Sequence, residues 1–167
     1  MINENADSAQ PGEAHTFVWE WQFALSPERL WPLVSDTDQV NRLAGLPPVS
    51  YRVVPLEGGG SRTYAEVRLL GFIPLRYTEH PFEWVENLRH SVRREFGSGP
   101  LYSYSSRVEL FPEAEGTHLT QTLSFRTRWP WLAPILKLTA GRTRKSFDKV
   151  YRRLVSESLH PGDSASP

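Results

Sequence analysis

Five histidines, two glycine clusters and a set of strand carboxylates are the groups that first invite a chemical reading. His15, His80, His90, His118 and His160 show no metal-ligand spacing, and none falls in a cluster of Asp and Glu on one expected face. There is no cysteine, which excludes disulfides, thiolate zinc sites and a Cys nucleophile. No metal and no cofactor are implied. Gly58-Gly59-Gly60-Ser61 lacks the Gly-Lys-Ser/Thr ending of a phosphate loop and precedes a strand, so it is expected to be a turn. Gly97-Ser98-Gly99-Pro100 reads the same way. No Ser, His and Asp are spaced for nucleophilic catalysis, so no catalytic residue is assigned.

The remaining candidates lie on strands, where parity decides what they touch. His90 and Arg94 share a face with Val92 and Phe96. If that face is inward, they are polar groups beside a cavity; the alternative for Arg94 is a structural pair with a carboxylate such as Glu66. Glu79 and Glu83 share a face, as do Tyr64, Glu66 and Arg68, and both sets are expected on the wet side of a sheet. Ser106 lies among Tyr102, Tyr104, Val108 and Leu110, and Gln121 among Leu119, Leu123 and Phe125. A polar group on such a face must find a partner or cost about 1–3 kcal/mol. A ligand, a water or each other would serve.

These residues need a sheet and something to cover it. Odd positions from Phe17 to Leu25 are all aromatic or Leu, a period of two that marks one buried strand face. Ser26-Pro27-Glu28 has the cap hydroxyl, N1 proline and early acid of a helix start. Asp36 with Gln39 starts a second helix, ended by Gly45. Strands follow at Val49–Val54, Arg62–Leu70, Leu75–Glu86, Arg89–Phe96, Tyr102–Phe111 and Thr117–Thr127, joined by short turns as in an antiparallel meander. From Trp131 to about Leu159 the period becomes helical, with Leu132, Leu136, Ala140, Thr143, Phe147, Val150, Tyr151 and Leu154 on one face. The small residues at its waist, Ala140 and Thr143, either leave room for a ligand or are met by a close approach of the sheet or by large aromatics such as Trp21 and Tyr104 reaching across. Residues 1–14 and 161–167 are expected to be disordered tails around a single domain at 15–160.

Lys plus Arg and Asp plus Glu are equal at 19 each, without the basic excess usual in nucleic-acid binders, so no nucleic-acid partner is expected. Met1–Ala14 is polar and acidic, unlike a signal or transit peptide, and no apolar run is long enough to span a membrane. A cytoplasmic location is expected. Arg128 to Leu136 sets two tryptophans and several aliphatics beside basic residues. Either they cap the sheet end, or Trp129–Leu136 is a lip for a membrane or a protein partner.

The order of strand, two short helices, six strands and a long helix resembles the SRPBCC superfamily, which includes START, Bet v 1 and polyketide cyclase/dehydrase-like proteins. Leu25-Ser26-Pro27-Glu28-Arg29-Leu30-Trp31-Pro32 is similar to that superfamily's strand-to-helix opening. Asp36-Thr37, Gly45-Leu46-Pro47-Pro48-Val49, Pro81-Phe82-Glu83-Trp84-Val85 and Arg94-Glu95-Phe96 resemble the SRPBCC-like domain found with bacterial class III adenylate/guanylate cyclases. The resemblance implies an α+β helix-grip fold, a curved antiparallel sheet wrapped around a long C-terminal helix. It also implies a cavity for an apolar or amphipathic small molecule, and a cyclase partner domain for the subgroup. The expected lining is Trp21, Phe23, His90, Arg94, Tyr104, Ser106, Gln121, Leu123, Leu136, Ala140 and Thr143. Three functions stay open: a non-catalytic binding or sensor module, a polyketide cyclase/aromatase-like enzyme, and an interaction domain whose cavity is filled by its own side chains.

Overall fold

The computed structural model describes residues 14–46, 49–55, 61–69, 73–80 and 83–159. Residues 1–13 and 161–167 of the expected tails and the Gly58–Gly60 turn lie outside them, while Ala14, expected in the tail, opens the first strand. Alternation makes the first element a strand, β1 (Ala14–Phe23), with Trp19, Trp21 and Phe23 buried as the odd positions require. Next come helices α1 (Pro27–Ser35) and α2 (Thr37–Leu43). Asp36 caps α2, its Oδ1 accepting from the Gln39 amide at 2.9 Å. Ser26 does not cap α1 through its side chain. Its hydroxyl bonds Glu28 instead.

Seven further strands follow: β2 (Val49–Pro55), β3 (Ser61–Leu69), β4 (Ile73–Glu79), β5 (Glu83–Val85), β6 (Arg89–Phe96), β7 (Leu101–Glu113) and β8 (Gly116–Thr127). All pair antiparallel in one sheet of order β1-β8-β7-β6-β4-β3-β2, with β5 on β6. The single strand expected over Leu75–Glu86 is thus two. Pro81, which has no amide proton to give a ladder, stands between them in the sequence. β4 meets one end of β6 through Tyr77–Glu79, and β5 meets the other end through Glu83–Val85.

After a 3-10 turn at Pro130–Leu132 the chain ends in α3 (Ala133–Leu159). The predicted face is the one it buries: Ala140, Phe147, Val150, Tyr151 and Leu154 are buried, and Leu132, Leu136 and Thr143 are half-buried. Its C-terminal half packs on β1 and β8. Tyr151 meets Trp21 edge-on at 5.3 Å, and Trp21 Nε1 donates to Asp148 Oδ1 at 3.0 Å. Large aromatics bring most of the burial energy here, about 1.5–3 kcal/mol for a side chain taken fully from water. The β7–β8 turn closes against the end of β1: Thr117 Oγ1 donates to the Leu25 carbonyl at 2.6 Å, and a Cβ on Gly116 would lie 2.0 Å from the Phe23 carbonyl oxygen.

Candidate functional site

Two apolar clusters occupy the inner side of the sheet. The larger joins β1, β7, β8, α1 and α3. The smaller consists of Ala65, Tyr77 and Phe96, flanked by Val49, Val67, Leu101 and Tyr104, and contains no residue of α3. Tyr104 borders both. The N-terminal half of α3, whose only buried residue is Ala140, is therefore not packed into the smaller cluster. On the sheet, Tyr51 and Val53 of β2 lie in register with Ala65 and Thr63, on the same face as the buried Tyr77, yet remain exposed. Among the described residues, no apolar side chain of α3 thus joins the smaller cluster on this stretch of inner sheet face.

Register builds a polar row on this surface. Thr63 pairs with Glu79, Glu79 with Arg94, Arg94 with Tyr104 and Tyr104 with Phe125. Arg94 Nε donates to Glu79 Oε2 at 2.8 Å, with the two side chains 19% and 6% exposed. The guanidinium lies 5.0 Å from the Tyr77 ring centroid and 5.6 Å from that of Tyr104. Burial opposes charge on Arg94, but the tyrosines and the Glu79 carboxylate outweigh it, so its pKa is raised and the group stays cationic. Burial likewise pushes the Tyr77, Tyr51 and Tyr104 hydroxyls up, so at neutral pH they are protonated donors. The Tyr77 hydroxyl is buried with no hydrogen bond that meets both distance and angle, although the Tyr51 hydroxyl approaches it as a partner. A buried polar atom left short of a partner is rare and marks a place where another molecule's polar group would be favoured.

The sequence-derived candidates separate into three places. Trp21, Phe23, Leu123 and Ala140 are in the larger cluster, where Gln121 accepts from the Tyr151 hydroxyl at 3.4 Å. Arg94, Tyr104 and Ser106 lie on the inner face of β6 and β7, with Ser106 bonded to the Tyr104 hydroxyl, while Leu136 and Thr143 are half-buried on α3. His90 sits apart, between Trp31 at 5.9 Å and Trp84 at 5.6 Å. Burial lowers its pKa to about 4, against a bond to the Val34 backbone that raises it.

Several residue readings are corrected. Arg94 does pair with a carboxylate, but the partner is Glu79; Glu66, the example named from the sequence, bridges to Arg76 at 2.9 Å on the outer face. Glu79 is buried rather than solvated, and on the face opposite Glu83 no shared wet patch forms: Glu83 bonds Arg89 at 2.8 Å. Tyr102 leaves the Tyr104 face because a bulge interrupts the register between Leu101 and Ser103; its ring stacks with Arg128 at 4.4 Å. Sequence reasoning missed Tyr51, Tyr77 and Glu79. The parity of Tyr77 with Glu79 was available, but the opposition of Glu79 to Arg94 depends on pairing across strands.

A groove of about 940 Å³ lies along β2–β4, bordered by Arg52, Tyr64, Glu66, Arg76 and Thr78 of the outer face and also by Tyr51, Ala65 and Tyr77 of the inner one. The outer-face side chains are exposed or half-buried, the ordinary state of a wet sheet face, whereas Ala65 and Tyr77 are buried. Among the described residues no helix is long and apolar enough to cross a membrane.

Solved structures of the same architecture are similar over nearly their whole length. The Zhui aromatase/cyclase from Streptomyces sp. R1128 superposes with a TM-score of 0.61 at 17% identity, covering 92% of this chain and 99% of that one. A START superfamily protein from Mycobacterium smegmatis gives 0.56 at 18% identity, covering 87% and 99%. A norcoclaurine synthase point mutant from Thalictrum flavum, in complex with a transition-state analogue, gives 0.56 at 16% identity, covering 90% and 99%. At these identities the likeness speaks for the helix-grip fold alone. No curated protein sequence matches. The model of the family described as "Polyketide cyclase / dehydrase and lipid transport" matches residues 14–158, so the chain belongs to that family.

Proposed function

We propose that the protein binds an apolar or amphipathic small molecule between the N-terminal half of α3 and the inner face of β2, β3, β4, β6 and β7. The observation that carries this reading is the smaller apolar cluster, which includes no α3 residue and whose Tyr77 ring lies 5.0 Å from the guanidinium of the Arg94–Glu79 pair. Leu136 and Thr143 would line the helix side, Tyr51, Tyr77, Tyr104 and Ser106 the sheet side. Trp21, Phe23, Gln121, Leu123 and Ala140 would form the packed back wall. A ligand burying roughly 400 Å² of apolar surface gains roughly 10 kcal/mol gross. Association costs several kcal/mol, which leaves affinity near the micromolar range.

Arg94 and Glu79 neutralise each other, so the polar end of the ligand is best uncharged, a hydroxyl or carbonyl that accepts from guanidinium or tyrosine donors. A second reading has its own support. A cation beside protonated tyrosine hydroxyls can polarise a bound carbonyl and stabilise negative charge developing on its oxygen. This supports an enzyme reading, and the similar Zhui structure is described as an aromatase/cyclase. A regulatory use beside a cyclase domain draws support only from the local sequence resemblance. Native mass spectrometry of freshly purified protein tests the binding reading. A co-purifying apolar mass is expected, and a bare chain that also takes up none of a panel of aliphatic and aromatic alcohols and ketones would overturn it.

A further inference from the structure

The approach to α3 has a surface that neither the core nor the proposed ligand explains. Trp131 is 63% exposed, Leu138 62% and Ile135 50%, and Trp129 is exposed beside them. The two tryptophans stack at 5.5 Å with rings 12° from parallel, a flat apolar face held toward water. Single exposed apolar residues need no explanation, but a contiguous group does.

The helix continues this surface with charge. At about 100° per residue, Ile135, Leu138, Arg142, Lys145 and Lys149 follow one another at spacings of three and four along a single stripe opposite Ala140 and Phe147. All five are exposed. The stripe begins apolar and ends basic. From Arg126 to Phe147 there are six basic residues and no acidic one, although over the whole chain Lys plus Arg and Asp plus Glu are equal at 19 each. All the acids therefore lie elsewhere, and the asymmetry belongs to this segment.

We infer that Trp129, Trp131, Ile135 and Leu138, with Arg142, Lys145 and Lys149, form a docking surface for an anionic phospholipid membrane. Tryptophan and aliphatic side chains enter the headgroup boundary, and long basic side chains reach the lipid phosphates beside them. A second copy of the chain fits the same surface poorly, because a two-fold contact would set like charges against each other. The surface flanks the N-terminal half of α3, so docking would bring the proposed ligand site next to the bilayer. The docking itself does not depend on a ligand.

Vesicle co-sedimentation of the whole chain tests this. Phosphatidylcholine vesicles containing phosphatidylglycerol should carry the protein down at low salt, phosphatidylcholine alone should not, and high salt should release it. Lys145→Gln with Lys149→Gln should weaken partitioning roughly 30-fold, the loss expected for two basic contacts. Trp131→Ser with Leu138→Ser should also lose binding, and quenching of tryptophan emission by brominated lipid should fall in Trp129→Phe/Trp131→Phe. All these side chains are exposed, and circular dichroism would verify that each variant is folded. Three results would overturn the inference: no sedimentation with anionic vesicles at low salt, unchanged sedimentation of the serine variant, or a lipid-free dimer that Leu138→Ser dissociates. Failure here leaves ligand binding by the purified protein unaffected.

Discussion

Replacing Glu79 with Gln should destabilise the protein by about 3 kcal/mol, and the size of the effect follows from the surroundings of Arg94. The pair meets at 2.8 Å with side chains 6% and 19% exposed. At an effective dielectric near 20, unit charges about 4 Å apart attract by about 4 kcal/mol. Gln retains an acceptor for Arg94 Nε, which returns about 1 kcal/mol. The faces of Tyr77 and Tyr104 support the cation in both proteins and cancel. For a domain of this length, about 3 kcal/mol corresponds to a fall of roughly 6–12 °C in melting temperature. Arg94→Met should cost a similar amount by leaving Glu79 without its counter-charge. The double change Arg94→Met/Glu79→Leu should come within about 1 kcal/mol of the wild type, because apolar residues of similar size often replace a buried pair without loss. Urea unfolding followed by tryptophan fluorescence gives the four free energies. Single variants costing less than about 1 kcal/mol, or single costs that simply add in the double variant, would refute the reasoning. The double variant also separates stability from function: it should fold and yet lose ligand specificity.

Three further outcomes are expected. His90 is buried and its pKa falls from 6.5 to about 4, so the unfolded chain takes up its proton first as pH drops. Its contribution is complete above pH 6.5 and is lost as pH falls toward about 4, up to about 3 kcal/mol; urea unfolding at a series of pH values should show this slope in the wild type and a flatter one in His90→Phe. Gly116→Ala should cost more than about 2 kcal/mol, because φ is +144° and the new methyl would meet the Phe23 carbonyl at 2.0 Å; calorimetry reads the fall directly. Ala140→Trp should overpack the larger cluster and cost about 1–3 kcal/mol in chemical denaturation, whereas an insertion at the half-buried Thr143 should be tolerated.

What could be read in the sequence was what local periodicity encodes. β1 and the buried face of α3 follow from spacing alone, since each strand or helix position has one facing direction and the apolar residues declare it. The bulge beside Tyr102 was not legible, because it changes the count of residues between faces without changing composition, whereas Pro81 marked the break between β4 and β5 and was passed over. The polar row was half legible. Parity put Arg94 on one face with His90 and Phe96 and Ser106 on one face with Tyr104, but left open whether the Arg94 face is inward, and the pairing of Glu79 with Arg94 joins strands whose mutual register no local pattern states. His90 had the right parity to join Arg94, yet the tryptophans of α1 and β5 enclose it separately.

The most direct test of the ligand site is a fluorescence titration with the apolar dye N-phenyl-1-naphthylamine, comparing wild type with Thr143→Trp. Thr143 is half-buried on the same side of α3 as Ala140 and Phe147, in the half of the helix that has only Ala140 buried, so an indole there would enter the proposed space with little cost to the core. Saturable binding near the micromolar range is predicted for the wild type. Loss of that binding is predicted for a variant that remains folded. Absence of saturable binding to the wild type, or equal binding by both proteins, would contradict the account.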